Sequence, residues 1–122
     1  MLVFDAVILN EDRHFGNFGF LVDNKSNKIV GCAPIFDNGL SLFCYAMDDD
    51  FKNIDQYIQT RLPATYQDFI AFVKPRMTKR QKEKLRKLIG FKFENHYKYR
   101  LPRKRLKYLE EIIQKRVLEL LE

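Results

Sequence analysis

The chain has 122 residues, 46% of them hydrophobic, with 11 Phe and 6 Tyr. That is enough for one hydrophobic core and excludes a disordered tail. No apolar run approaches the roughly 20 residues that span a bilayer, and the start "MLVFDAV" has neither a basic leader nor a small-residue cleavage site, so a soluble, cytoplasmic protein is expected. The net charge of +6 hides an asymmetry: residues 1–60 hold four basic and nine acidic side chains, residues 61–122 hold 18 basic and seven acidic.

In chain order, residues 1–9 read as the end of a helix or as a buried apolar segment. Then comes "NEDRHFGNFGF", Asn10 to Phe20, a knot of polar groups between apolar runs. Phe18 to Val22 reads as a strand, and Asp23 to Lys28 as a turn. Ile29 to Phe36 reads as the return strand, with Pro34 limiting pairing towards its end. Cys32 and Cys44 form no CxxC and are expected to be reduced thiols filling the core.

Beyond residue 50 the period becomes helical. Helices are expected over 51–62 and 65–74, with Thr65 as N-cap and Asp68 at the capping-box position. Another is expected over 78–89, opening on Thr78 and stopping before Gly90. Pro102 opens the last, whose apolar stripe is Leu106, Leu109, Ile113, Val117 and Leu120. The predicted fold is α+β, mainly helical: one hairpin, then a bundle of four or five helices. The basic second half reads either as solvated helix faces or as a surface for nucleic acid or an acidic protein.

A hairpin returns the chain to where it left, so Asn17, before the first strand, and Asp37, after the second, are expected side by side. Their hard oxygens suit Mg²⁺, which keeps several waters and borrows phosphate oxygens. Asp12, five residues before Asn17, is placed to accept a proton from an attacking hydroxyl. Zinc is not expected, since the other histidine, His96, lies in a separate region and neither cysteine falls at ligand spacing.

The order Asp, Asn five residues on, hairpin, Asp is that of the protein-kinase catalytic core. Asn10-x-Asp12-x-His14-x-x-Asn17 and Pro34-x-Phe36-Asp37 resemble, position by position, the catalytic loop and metal-binding strand end of the bacterial HipA-like serine/threonine kinases. Asn38 stands where the protein-kinase pattern has Phe, and Gly39 keeps the Gly, expected to allow the turn after the metal ligand. "DRHFGN" is also similar to the catalytic loop of the phosphoinositide 3- and 4-kinases. Asn10 and "PIFDNG" favour the HipA-like side, and nothing reads as a membrane-binding helix.

The resemblance implies ATP and Mg²⁺ as cofactors, Asp12 as base, and Asn17 and Asp37 as Mg²⁺ ligands. It implies for His14 either a share in the proton or phosphate chemistry or a brace for the loop; Arg13 has no firm role, and is expected either to pair with a loop carboxylate or to meet substrate. It also implies a protein substrate and a DNA-binding antitoxin as partner, as in toxin–antitoxin pairs. No G-x-G-x-x-G or G-x-x-x-x-G-K-[ST] is present, and no Lys precedes the loop. The chain is therefore expected to be one partial domain, with catalytic loop, hairpin and metal segment in 1–42 and helical bundle in 43–122. It is either a piece of a longer kinase or a short protein whose amino-terminal lobe sits on another polypeptide. Alone, it is expected to bind Mg·ATP weakly and to present an apolar face where the absent parts dock. The competing class is a non-catalytic binding module acting through the basic helices.

Overall fold

A computed structural model describes residues 1–122. Five helices surround and cross one another, and a two-stranded antiparallel hairpin stands beside them, so the fold is α+β and mostly helical. Helix α1 spans Leu2–Ile8, α2 Ile54–Gln59, α3 Phe69–Val73, α4 Lys79–Arg86 and α5 Arg103–Leu121; strands β1 and β2 are Phe20–Val22 and Ile29–Cys32. No helix is long and apolar enough to cross a membrane.

The 19-residue α5 organises the body, with α1, α3 and α4 packed against it. Its stripe Leu109, Ile113, Val117 and Leu120 is buried as the spacing predicts and Ile112 joins it, while Leu106, expected in the same stripe, is only half-buried and outside the core. Against that stripe lie Ala6 to Leu9 of α1, Phe69 and Val73 of α3, and Leu85 of α4. Phe51 stacks on Tyr108 of α5 at 4.8 Å, nearly parallel, so the segment before α2 is pinned to the same helix.

Polar side chains of α5 fasten what its apolar stripe does not reach. Arg105 donates to the carbonyls of Phe43 and Ala46 at 2.9 and 3.0 Å. Gln114 donates to the Leu88 carbonyl and accepts from the Gly90 N–H, both at 2.8 Å, closing the end of α4. α4 ends at Arg86, three residues short of expectation, and a run of turns leads to Gly90, whose φ of +78° is a conformation glycine adopts without strain. Arg116 Nε donates to the Ala6 carbonyl of α1 at 3.0 Å; burial lowers its pKa.

Local chemistry sets the helix starts. Thr78 and Gln81 form a complete capping box on α4. The N-cap of α3 is Asp68, whose carboxylate accepts from the Ala71 N–H at 2.6 Å. Thr65 does not cap: the chain from Ala64 to Gln67 runs as bends, and the Thr65 hydroxyl instead approaches the Arg13 carbonyl. Residues 50–53 form a 3₁₀ turn rather than the first turn of an α-helix, and α2 ends at Gln59, three residues short of expectation. Cys32 and Cys44 are both exposed, which corrects their reading as core filler. Cys32 ends a strand that packs on nothing, and Cys44 follows the inward-pointing Phe43.

Tyr66 packs on Phe69 and Phe72, with its hydroxyl buried and unpartnered. Burial, reinforced by the Asp5 charge, pushes its pKa up to about 12. Because the neutral form is favoured in the folded state, this tyrosine contributes stability that is complete below about pH 10 and is lost as pH rises towards 12. Tyr66→Phe removes the orphaned hydroxyl and is expected to leave stability at pH 7 unchanged or raised by about 1 kcal/mol. It should also flatten the loss of stability between pH 10 and 12, measured by urea unfolding across that range.

Candidate functional site

The loop from Asn10 to Asn17 leaves α1 through Leu9, whose left-handed backbone (φ 53°) ends the helix. Asp5, the one carboxylate of α1, is wholly buried and faces that loop. A buried carboxylate requires a partner, and Arg13 supplies it. Arg13 Nε and Nη2 donate to the two Asp5 oxygens at 3.0 and 2.9 Å, a bidentate pair with side chains 2% and 0% exposed. Asn10, also fully buried, donates to Asp5 Oδ1 at 3.1 Å and accepts from the Asp12 N–H at 3.2 Å.

The rest of the Arg13 fork reaches the hairpin. Nη1 donates to the Asn17 carbonyl and to the Phe36 carbonyl, each at 2.6 Å, and Nη2 donates to the Asn38 side-chain oxygen. One nitrogen thus holds the residue that enters the hairpin beside the chain that leaves it. The Asp5 hydrogen bonds, followed by the charges of Asp5, Asp37 and Asp12, raise the guanidinium pKa above its ordinary value.

The hairpin is shorter than its apolar runs. Phe20 pairs with Cys32, Leu21 with Gly31 and Val22 with Ile29, with an irregularity between Leu21 and Val22. The Ala33 N–H still reaches the Gly19 carbonyl at 3.0 Å, after which Pro34 has no donor to offer. At the tip, Asp23 Oδ1 accepts from the Lys25 and Ser26 N–H groups and the Ser26 hydroxyl.

Around this frame stand the four predicted site residues. Asn17 is buried; its Nδ2 donates to the Asp12 carbonyl at 2.7 Å and approaches Asp12 Oδ2 at 3.4 Å, so its Oδ1 is the atom turned to other uses. The Asp12 carboxylate is 44% exposed, with His14 Nε2 at 3.9 Å from Oδ1. His14 Nδ1 accepts the Gly16 N–H at 3.0 Å, which places the proton of the neutral ring on Nε2. A Cβ at Gly16 would lie 2.9 Å from His14 Cε1, so glycine is what admits the imidazole over the loop.

Asp37 is exposed and adopts φ 52°, while Gly39, expected to make the turn, does not enter the left-handed region. The reversal falls on the aspartate itself, held on either side by the Arg13 bonds to Phe36 and Asn38. The chain then runs back along the loop, the Glu11 N–H meeting the Leu40 carbonyl at 3.0 Å and the Leu42 N–H meeting the Ile8 carbonyl at 2.7 Å.

Asp12, His14 and Asn17 are thus brought together by direct contacts, whereas Asp37 makes no hydrogen bond or ion pair with them and is linked to the loop only through the Arg13 bonds to its neighbours Phe36 and Asn38. Arg13 and Asp5 are the buried pair that holds the loop, and their pairing is not read from the sequence. The available signal was an acid inside the apolar run "LVFDAVIL". No group of three or more His, Cys, Asp or Glu is arranged to hold a metal ion. The Asn17 amide oxygen and the Asp37 carboxylate are hard donors of the kind that suits Mg²⁺, and no contact joins them.

Breaking the buried pair is expected to cost more than the site chemistry alone would suggest. Arg13→Lys cannot reproduce the bidentate fork and leaves Asp5 partly unpaired, so a loss of about 3–5 kcal/mol is expected by denaturant unfolding. Gly16→Ala should leave stability within about 1 kcal/mol while displacing His14, seen as a changed His14 imidazole NMR shift.

No family model, curated protein or solved structure matches the chain, so the geometry alone bears on its function.

Proposed function

We propose that residues 10–42 form the phosphoryl-transfer segment of a HipA-like serine/threonine kinase, with Asp12 as base and Asn17 and Asp37 as Mg²⁺ ligands. The observation that supports it most is the Arg13 fork, which holds the Asn17 and Phe36 carbonyls on one nitrogen and so joins the chain entering the hairpin to the chain that leads into Asp37.

In this reading Asp12 takes the proton of the attacking hydroxyl as its oxygen bonds to the γ-phosphorus and the bond to the ADP oxygen breaks. The Asn17 amide fixes the orientation of Asp12 through its carbonyl. His14 braces the loop with one nitrogen and sets the other beside the base. Bound Mg²⁺ would supply charge neutralisation at the phosphate oxygens. The glycine-rich cover and the phosphate-gripping lysine come, in this reading, from outside these 122 residues. The exposure of Phe20, Leu21, Val22, Ile29 and Val30 on the hairpin supports a docking lobe there, since an uncovered apolar ribbon is costly in water.

The test uses Mn²⁺ as a paramagnetic stand-in for Mg²⁺, with ATP, followed by electron paramagnetic resonance. Weak Mn·ATP binding is expected, lost in Asn17→Ala and in Asp37→Ala and retained in Asp12→Asn. Residual ATP turnover in Asp12→Asn should fall about 10²-fold or more. Equal Mn·ATP binding by the parent chain and by Asp37→Ala would overturn the metal assignment. Vigorous phosphorylation by the chain alone would overturn its dependence on a second lobe.

A further inference from the structure

The connection between α4 and α5 carries a feature the catalytic reading does not use. Residues 95–101 form a closed loop: Asn95 Nδ2 donates to the Leu101 carbonyl at 3.0 Å, and its Oδ1 accepts from the Leu101 N–H at 3.1 Å. Inside it, His96 Nδ1 accepts from the Lys98 and Tyr99 N–H groups at 3.1 and 2.9 Å, which fixes the imidazole. The His96 ring stacks on Tyr97 (centroids 4.7 Å apart, planes 28° apart) and on Tyr99 (5.3 Å, 22°). The two tyrosines are nonetheless 81% and 72% exposed. Rings of this size left open on an ordered loop are a preformed surface rather than core that failed to pack.

The charge around this stack has one sign. From Asn95 to Leu109 the chain has no acidic residue. Lys98, Arg100, Arg103, Lys104 and Lys107 are all exposed, and the eight ion pairs of the chain use none of them. Lys98 Nζ lies 5.3 Å from the Tyr99 ring centre, so cation and stacking face are adjacent. Arg105, by contrast, is committed to the Phe43 and Ala46 carbonyls and belongs to the fold.

We propose that the 95–107 segment is a binding site for single-stranded nucleic acid, with nucleobases stacking on Tyr97 and Tyr99 and phosphates meeting the five free cations. Open aromatic faces beside unpaired cations are what an unpaired strand needs, because every base has a π-face and duplex bases are already stacked. An acidic protein or an anionic membrane would use the cations and leave the fixed ring stack without a role.

The test is fluorescence anisotropy of labelled 12-mers, oligo(U) and oligo(dT), against a duplex of equal length and against heparin. A salt series is run with EDTA present, so that no metal-bridged contact at Asn17 and Asp37 contributes. Single strands are expected to bind at least about tenfold more tightly than the duplex, since stacking on two rings accounts for that much. Tyr97→Ala/Tyr99→Ala, two exposed positions, should weaken them about tenfold with the salt slope unchanged and far-ultraviolet circular dichroism intact. Arg103→Gln/Lys104→Gln/Lys107→Gln should reduce the salt slope by about two, at about 0.7 per lost phosphate contact on a single strand. Tighter binding of oligo(U) than oligo(dT), or the reverse, identifies RNA or DNA as the ligand. Binding that favours heparin or duplex, or that ignores the tyrosine change, would overturn the proposal in favour of a merely electrostatic face. Absence of binding at about 50 mM salt, where phosphate contacts are strong, would overturn it outright.

Discussion

The guanidinium of Arg13 is the interaction on which the amino-terminal third depends. A buried cation is tolerable only when nearly every donor is matched, and here the fork is divided among a carboxylate, two carbonyls and an amide oxygen. These acceptors belong to α1, to the loop after it, and to the chain leaving the hairpin, three stretches that share little apolar contact. The arrangement also accounts for Asp37. A non-glycine residue in the left-handed region costs about 1–2 kcal/mol, and Asp37 is pinned there by Arg13 bonds to the residues on both sides of it. Position and strain at the exposed carboxylate are therefore set from inside the protein.

The second half is governed by α5 in a similar way. Arg105, Glu110, Gln114 and Arg116 each bind backbone or side-chain groups of a different segment, so the helix acts through polar contacts as well as through its apolar stripe. Glu110 holds the Phe93 N–H and Lys92 at 3.0 and 2.7 Å; the Lys92 hydrogen bond, then that of Phe93, keeps its carboxyl below the usual range. What is left over among the cations of this half is consequently selective. Those needed by the fold are turned inward or onto carbonyls, and the unpaired ones lie along α4 and along the 95–107 segment.

Legibility in the sequence followed the range of the interaction. The turn at Asp23–Lys28, the N-cap at Thr78 and most of the stripe of α5 rest on contacts within a few residues, and all were readable, whereas α4 stops at Arg86, short of the expected end before Gly90. Thr65 and Asp68 both carry cap chemistry, and only packing of Phe69 against α5 decides that the helix starts after the second. Cys32 and Cys44 are apolar by type, but their burial depends on whether anything covers the hairpin and the 43–46 turn. Arg13 and Arg116 look like surface charges in one dimension. Their burial follows from carbonyls and a carboxylate up to 110 residues away in sequence.

The hairpin shows what this division of labour leaves exposed. Two strands of three and four residues have no independent stability in water, and none of their side chains joins the core. What fixes the hairpin is its two ends: Arg13 at the base and the Asp23 turn at the tip. A ribbon held by its ends needs no apolar face for its own stability, yet this one carries Phe20, Leu21, Val22, Ile29 and Val30. Those side chains therefore add nothing to the fold as it stands and gain burial only against a further surface. Asp12, Asn17 and Asp37 flank the two ends of the same ribbon, Asp12 and Asn17 before β1 and Asp37 after β2. Any surface that buries the ribbon would also lower the dielectric around those oxygens, strengthening every charge interaction they make.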